Sequence, residues 1–424
     1  MRNPNDVLPM PATALRARRR RSRFPLLLVA AALASRAPAA HAETFNVACN
    51  ASALASVIAT VNSNGEEDFV WLTSPCVYAL ATTWVVEPDA GNPVWVYGRG
   101  ARISGQDART PLVVNAGATL HLSEVTVRDG STTGNGGGIR NAGTLTVDES
   151  VITESASQAY GGGIYNTGTA RLTRSTVSAN TASVQGGGVD NAAGKLTLVD
   201  STVSGNSGSY GGGLRNRGSA TLFNSTLFGN GAFIGGGILN DPAGRVALAN
   251  VTISENAISG SNGGGGIRNE GDLRIDNSII ANHPSGQADC YNSGSLIPLT
   301  SNLIEDGSCA LVGSFTGDPM LGAPSGRPQS IPLAKGSPAI DAGANPVCAG
   351  ADQNGARRPY DGNEDGYSIC DLGAIEWRPA RACGLLGIDA LLVLLPLARL
   401  VARARRAQAS RAEGGAGGSS RPRS

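Results

Sequence analysis

The chain has 424 residues, with 34 Lys and Arg against 33 Asp and Glu, a formal charge of +1, 58 glycines and three histidines. That balance excludes a basic nucleic-acid-binding surface, and the isolated His41, His121 and His283 exclude a zinc site or a Ser-His-Asp centre. The near-neutral sum hides a division: residues 1–42 carry +7, residues 383–424 carry +5, and residues 43–382 between them carry −11, an acidic surface that stays soluble and suits calcium.

Residues 1–42 read as a secretory signal peptide. Arg16, Arg18 to Arg21 and Arg23 precede an apolar run from Phe24 to Ala34, and Ala40 to Ala42 ("AHA") place cleavage between Ala42 and Glu43. The run is short for a membrane-spanning helix. The arginines lack the full twin-arginine pattern, so the expected route is the general secretory one, ending at the outer membrane, the cell surface or outside the cell. Residues 43–93 are expected to form an N-terminal cap. Leu54, Val57, Ile58 and Val61 lie at i, i+3, i+4 and i+7 of an amphipathic helix, and strands such as "FVWL" and "TTWVV" follow.

Residues 94–283 repeat. A glycine block followed by an aliphatic residue, any residue and Asn occurs six times, with the aliphatic residues at Ile139, Ile164, Val189, Leu214, Ile238 and Ile267. The asparagines are Asn141, Asn166, Asn191, Asn216, Asn240 and Asn269. Between the blocks two alternating apolar residues, a polar turn and a third apolar residue recur, as in Leu145, Val147 and Ile152. Period-two alternation means strands, and short strands in a repeat near 25 residues fit one coil of a parallel β-helix. A single coil cannot bury enough apolar surface to offset its ordering entropy. Stacked coils share one core, and about seven and a half of them at ~4.8 Å spacing give a rod of about 36 Å. In this arrangement the glycines bend the chain and the asparagines point inward as a stacked amide ladder. A phosphate loop would need Lys-Ser/Thr or a helix after the glycines, and neither is present.

Residues 284–378 are expected to cap the other end, where open strand edges would otherwise invite aggregation. Six cysteines precede Cys383, and sequence locality among 15 pairings suggests Cys49–Cys76, Cys290–Cys309 and Cys348–Cys370, as export favours. "DGNEDG", Asp361 to Gly366, matches the first half of a calcium loop, with Asp361, Asn363 and Asp365 at positions 1, 3 and 5 and the Tyr367 carbonyl at 7. Position 12 is Leu372, with Asp371 one place short. Calcium is the only cofactor expected.

"GSPAIDAG" (Gly336 to Gly343), "DQNGARRP" (Asp352 to Pro359) and "CDLGAIE" (Cys370 to Glu376) follow one another here. That succession resembles the choice-of-anchor Q domain of bacterial surface proteins, which implies a right-handed parallel β-helix and a surface location but no ligand. Asn354 and Ile375 depart from the usual pattern. The repeats also resemble the passenger of chlamydial polymorphic outer membrane proteins, through "STVSAN", "STVSGN", "STLFGN" and "VTISEN", which end at Asn180, Asn206, Asn230 and Asn256. Asp341, Asp352, Arg357, Arg358, Asp371 and Glu376 within the motifs are expected to form ion pairs that fix loops against the last coil.

Residues 379–407 are expected to be a sorting segment. The Cys383–Gly384 head, an apolar stretch interrupted by Asp389 and Pro396, and an arginine cluster ending at Arg406 resemble the tripartite C-terminal signals of surface proteins. That resemblance implies a processing enzyme and passage through a membrane. Residues 408–424 have a disordered composition.

The outward column between the aliphatic residue and Asn reads Arg140, Tyr165, Asp190, Arg215, Leu239 and Arg268. Asp190 and Arg215 on neighbouring coils are the catalytic candidates of a polysaccharide lyase or hydrolase. Read from sequence they are a surface ion pair with no second carboxylate in their column, so paired-carboxylate hydrolysis lacks its partner. The reading is a secreted, surface-anchored β-helix with an adhesin-like or structural role, whose partner is a surface glycan or a protein. Tyr160, Tyr165, Tyr210, Phe223, Phe228 and Phe233 are the few aromatics its repeats offer.

Overall fold

The computed structural model describes residues 42–379, apart from 262, 285, 299–300 and 310–313. The expected signal peptide up to His41 and the expected sorting segment with Cys383 and Gly384 lie outside the described residues. No described helix is long and apolar enough to cross a membrane.

Each repeat contributes strands to four parallel sheets. In the coil that begins at Ile164, the chain runs through Ile164–Asn166, Thr169–Thr173, Thr176–Ser178 and Thr181–Gln185 before the next glycine block. The sheet containing Thr169–Thr173, called the first, has eleven strands. The second, containing Thr176–Ser178, has ten. The third, short sheet with Thr181–Gln185 has six, and the fourth, with Ile164–Asn166, has nine. The result is a right-handed parallel β-solenoid of about ten turns.

Ten turns exceed the seven and a half expected because the N-terminal "cap" is itself coiled. Glu67–Leu72, Val77–Ala79 and Trp84–Val86 pair in parallel with the next coil in the first, second and fourth sheets. These coils lack the triple glycine, so the repeat signature misses them. The helix Ala51–Val61, capped by the Asn50 side chain, buries Leu54 and Val61 fully, with Val57 and Ile58 packed on the core.

Register follows the sequence columns. Ile139, Ile164, Val189, Leu214, Ile238 and Ile267 are successive partners, preceded by Leu112 and followed by Cys290. The asparagine column is fully buried. Each Nδ2 from Asn141 to Asn269 donates to the Oδ1 of the next, at 2.6–2.9 Å, and the column extends to Asn292. A second amide ladder runs through Asn180, Asn206, Asn230 and Asn256. A serine ladder, in which the Ser150, Ser175 and Ser201 amides donate to the next coil's Oγ, flanks it.

The three glycines of a block answer to three constraints. Gly161 has φ +65°. A Cβ on Gly162 would meet the Gly187 carbonyl at 2.4 Å, and one on Gly163 would meet the Asn180 amide at 2.9 Å. Adjacent coils are thus closer at the block than any side chain permits. The disulfides join Cys49 to Cys76, Cys290 to Cys309 and Cys348 to Cys370.

The C-terminal region departs from the expected end cap. Cys290–Asn292, Ser295–Pro298 and Leu303–Ile304 add a last coil. The chain beyond it then folds back along the outer face of the second sheet. The Thr226 hydroxyl bonds the Gln353 side chain, the Ala374 amide donates to Thr252 Oγ1 at 2.9 Å and the Gly373 amide to the Asn277 carbonyl at 2.8 Å. A small second core of Ile279, Ala281, Leu303, Leu333, Ala339 and Leu372 seals the contact. The reason is compositional. Outward residues Thr202, Thr226 and Thr252 each offer one short hydroxyl, which a loop-rich segment can meet with backbone groups and glutamine.

Two glycine substitutions separate these constraints. Gly162→Ala is expected to cost about 1–3 kcal/mol, because its Cβ has only neighbouring backbone to displace. Gly231→Ala, where nothing lies within 4 Å of the added Cβ, should stay within about 0.5 kcal/mol. Denaturant unfolding of both variants reads the difference.

Candidate functional site

The Asp190–Arg215 pair sits on the fourth sheet, but it is no surface pair. Asp190 is 0 % exposed and Arg215 8 %. Gly186 packs against the Asp190 Cβ, where an added Cβ would lie at 2.6 Å, and Arg215 and Arg217 close over the carboxylate. The glycine block alone does not bury this column, since Arg140 beside its own block is exposed and Tyr165 half-buried. Arg215 reaches Asp190 Oδ2 at 3.4 Å and also bonds Asp241, while Arg217 stands 3.9 Å from Asp190 Oδ1. The second carboxylate absent from the sequence column is therefore present, supplied by Asp241 just beyond the Asn of a later coil. Burial raises Asp190 to about 6, against the pull of Arg215 and Arg217, and raises Asp241 as well. The Asp190 carboxylate is sealed inside this ionic cluster, whose outer edge is the partly exposed Asp241 and Arg217.

The motif acids form a second buried set, which the fold-back places along the flank, with Ala339 and Leu372 of the same motifs in one core with Leu303 of the last coil. Arg358 donates to the Gly373 carbonyl at 2.8 Å and its Nε lies 3.1 Å from Glu376 Oε2, both side chains fully buried. Glu376 accepts the Tyr360 and Asp371 amides, Asp352 accepts the Glu376 amide, and Asp371 accepts the Asp341 and Trp377 amides. Burial, then Glu376, pushes Asp371 up to about 7. Every carboxylate holds backbone, which is a loop-fixing role. Arg357 lends its carbonyl to Arg378.

The "DGNEDG" turn is largely exposed, bonds within itself and is pinned by Asp341, which accepts the Gly362 and Asn363 amides. Asp361 accepts the Asp365 and Gly366 amides, Asn363 the Asp365 amide and Asp365 the Tyr367 amide. Asp371 stands apart from it, buried and with both oxygens in backbone bonds. A cation at this turn would meet Asp361, Asn363, Asp365 and the Tyr367 carbonyl without it.

Two accessible clefts of about 810 Å³ each lie among the described residues, one beside Lys335, Asn363 and Trp377 and the other where the fold-back ends against the solenoid. The second has the more charged lining. One wall of it is the turn between the first and second sheets, where Glu149, Arg174 and Asp200 occupy one column at positive φ. Gly326–Gln329 and Gln353–Gly355 form the other wall. Arg174 pairs with Asp148 at 2.8 Å and Glu149 at 2.9 Å. Burial raises Asp200, which accepts from the Asn224 amide at 3.2 Å. Arg327 is exposed on the facing loop.

Sequence reasoning also missed an aromatic stack on the outer face of the first sheet. Trp95 lies between Phe69 (6.3 Å) and His121 (3.7 Å), and Trp71 lies on Tyr97 (4.2 Å). The signal was the alternation in "DFVWL" and "PVWVY", one coil apart. Stacking spends the ring faces on one another and leaves edges to solvent.

No protein-family model matches the chain, and no curated protein matches it. Among solved structures, pectate lyase Pel9A is similar over 80 % of this chain and 97 % of its own, at a TM-score of 0.48 and 14 % identity. No residue role is carried over from that likeness.

The buried acids set a pH dependence. Asp190 and Asp371 titrate higher when folded, at about 6 and about 7, than their ordinary 3.8. The folded state then holds their protons more tightly, so the stability they contribute is full below pH 3.8 and is lost as pH rises through about 6 to 7. Unfolding free energy contributed by these groups should fall from about pH 4 to pH 7 and level off above. Asp371→Asn should flatten the upper part of that fall, and an unchanged slope would contradict the assignment.

Proposed function

We propose that the chain is an exported, surface-displayed β-solenoid that works by binding a glycan or a protein and not by catalysis. Three disulfides of the kind that persist in oxidising compartments support export, and display rests on the sorting segment read from Cys383 to Arg406. The observation that carries the binding reading is the state of the acids. Asp190 is sealed, and of the two carboxylates in the open cleft Glu149 is engaged by Arg174 and Asp200 by the Asn224 amide. A cleft with Arg174, Arg327, Gln329 and Asn354 on its walls presents donors suited to a hydroxyl-rich or acidic chain.

A second reading, a polysaccharide hydrolase, is favoured by one feature. Glu149 and Asp200 stand two coils apart, about 10 Å in backbone, near the ~6.5–9.5 Å separation of an inverting carboxyl pair. Asp200 is the raised member.

Glycan-array and protein pull-down measurements are expected to show binding that Arg174→Ala together with Arg327→Ala weakens at least about tenfold. Reducing-end assays over polyuronates, pectins and glucans should stay flat. Turnover abolished by Glu149→Gln or Asp200→Asn would overturn binding in favour of hydrolysis. Silence in every assay would leave a structural role. Cell fractionation with and without residues 383–406 tests display, which loss of surface protein in the shortened chain supports.

A further inference from the structure

The inward column of the first sheet carries Val94, Leu120, Leu145, Ala170, Leu196, Ala220, Val246, Leu273 and Leu296 in register. Its first two places break the pattern. Glu43 pairs with Asp68, which pairs with Val94, so two acids stand where every later coil places an aliphatic side chain. Asp68 is 0 % exposed and its Oδ2 has no hydrogen-bond partner. Its Oδ1 accepts from Asn64 Nδ2 at 2.8 Å, and the same nitrogen reaches Glu43 Oε2 at 3.1 Å. Glu66 is adjacent, and Asp89 holds the Gly65 amide at 2.9 and 3.1 Å. Burial, helped by Asp89, Glu43 and Glu66 and opposed by the Asn64 hydrogen bond, raises Asp68 to about 6, with no basic group acting on it. An orphan carboxylate oxygen among like charges is costly. A column built for leucine and alanine would not hold two acids for packing alone.

We propose that this N-terminal mouth is a divalent-cation site, taking calcium through Asp68 and Glu43 with Glu66 and the Asn64 side chain completing an oxygen shell. The chemistry is that of a hard cation: carboxylates and an amide carbonyl, with no nitrogen or sulfur donor. Among the described residues no three His, Cys, Asp or Glu side chains form a ready-made shell, so the cation gathers its ligands. Asn64 Nδ2 now stands between the two carboxylates, in the place a cation takes. Rotating the amide presents Oδ1 there, at the loss of its bond from the Glu66 amide at 3.2 Å. Asp68 Oδ2 already points to no other partner. Bound calcium ties the first strand, Ala42–Val47, to Glu67–Leu72 and so locks the exposed start of the solenoid.

The test is thermal unfolding and isothermal titration of the purified exported protein with calcium chloride, against chelator. Calcium should raise the wild-type melting temperature by several degrees, as ligand binding to the folded state requires, with measurable heat. Asp68→Asn and, separately, Glu43→Gln should abolish both, while Asp361→Asn with Asp365→Asn should retain them. No heat and no shift in the wild type would overturn the proposal. So would a response that survives Asp68→Asn and Glu43→Gln but is lost in the Asp361/Asp365 variant, which would place calcium at the C-terminal turn. Glu43→Gln keeps the test decisive if Asp68→Asn fails to fold, since Glu43 is only half-buried.

Discussion

The whole molecule depends on one constraint: no coil is stable unless it stacks in register on its neighbours. Apolar burial alone would let coils slip, because a shift by two residues still points alternate side chains inward. The amide ladders remove that freedom. Asn191 accepts from Asn166 below and donates to Asn216 above, and also donates to the Gly194 and Ser219 carbonyls, so a slipped coil would strand several buried polar groups at once. The glycine block follows from the same requirement. Where ladder and backbone converge, any side chain would hold the coils apart.

That scaffold determines where chemistry can occur. Inward columns are filled, and in the middle of the fourth-sheet outward column Asp190, Arg215 and Asp241 cover one another as a largely internal ionic cluster, while Arg140 and Tyr165 in the same column stay open to solvent. The second sheet is covered from Thr202 to Ala281 by the returning C-terminal segment, while Thr126 and Thr176 on earlier coils stay half-exposed. The boundary between covered and uncovered coils is a step, and the step is the cleft beside Glu149, Arg174 and Asp200. Accessible polar groups therefore collect at the step and at the solenoid's N-terminal mouth.

How much of this the sequence shows depends on the range of the interaction. The inward asparagine column was legible because Ile-x-Asn alternates within one strand and recurs each coil. The serine and second asparagine ladders were not, because "STVSGN" reads as a polar turn until Ser201 and Asn206 are seen to face their own copies. The sealing of Asp190 was hidden since it depends on Arg217 and Asp241, which join from outside the column. The fold-back was least legible. The Thr226–Gln353 bond spans 127 residues, and no local pattern couples a threonine column to a distant glutamine. The aromatic pairs of "DFVWL" and "PVWVY" were visible as alternation, yet without a triple glycine those strands did not count as coils.

The fold-back creates the cleft, so protection of the backbone amides it docks on the solenoid tests the account most directly. The Gly373 amide donates to the Asn277 carbonyl and the Ala374 amide to Thr252 Oγ1. The account predicts that hydrogen exchange at Gly373 and Ala374 is slow in the folded protein and that Thr252→Ala speeds it at Ala374. Fast exchange at both amides in a folded protein would contradict it, because the C-terminal segment would then lie elsewhere and the cleft would not exist.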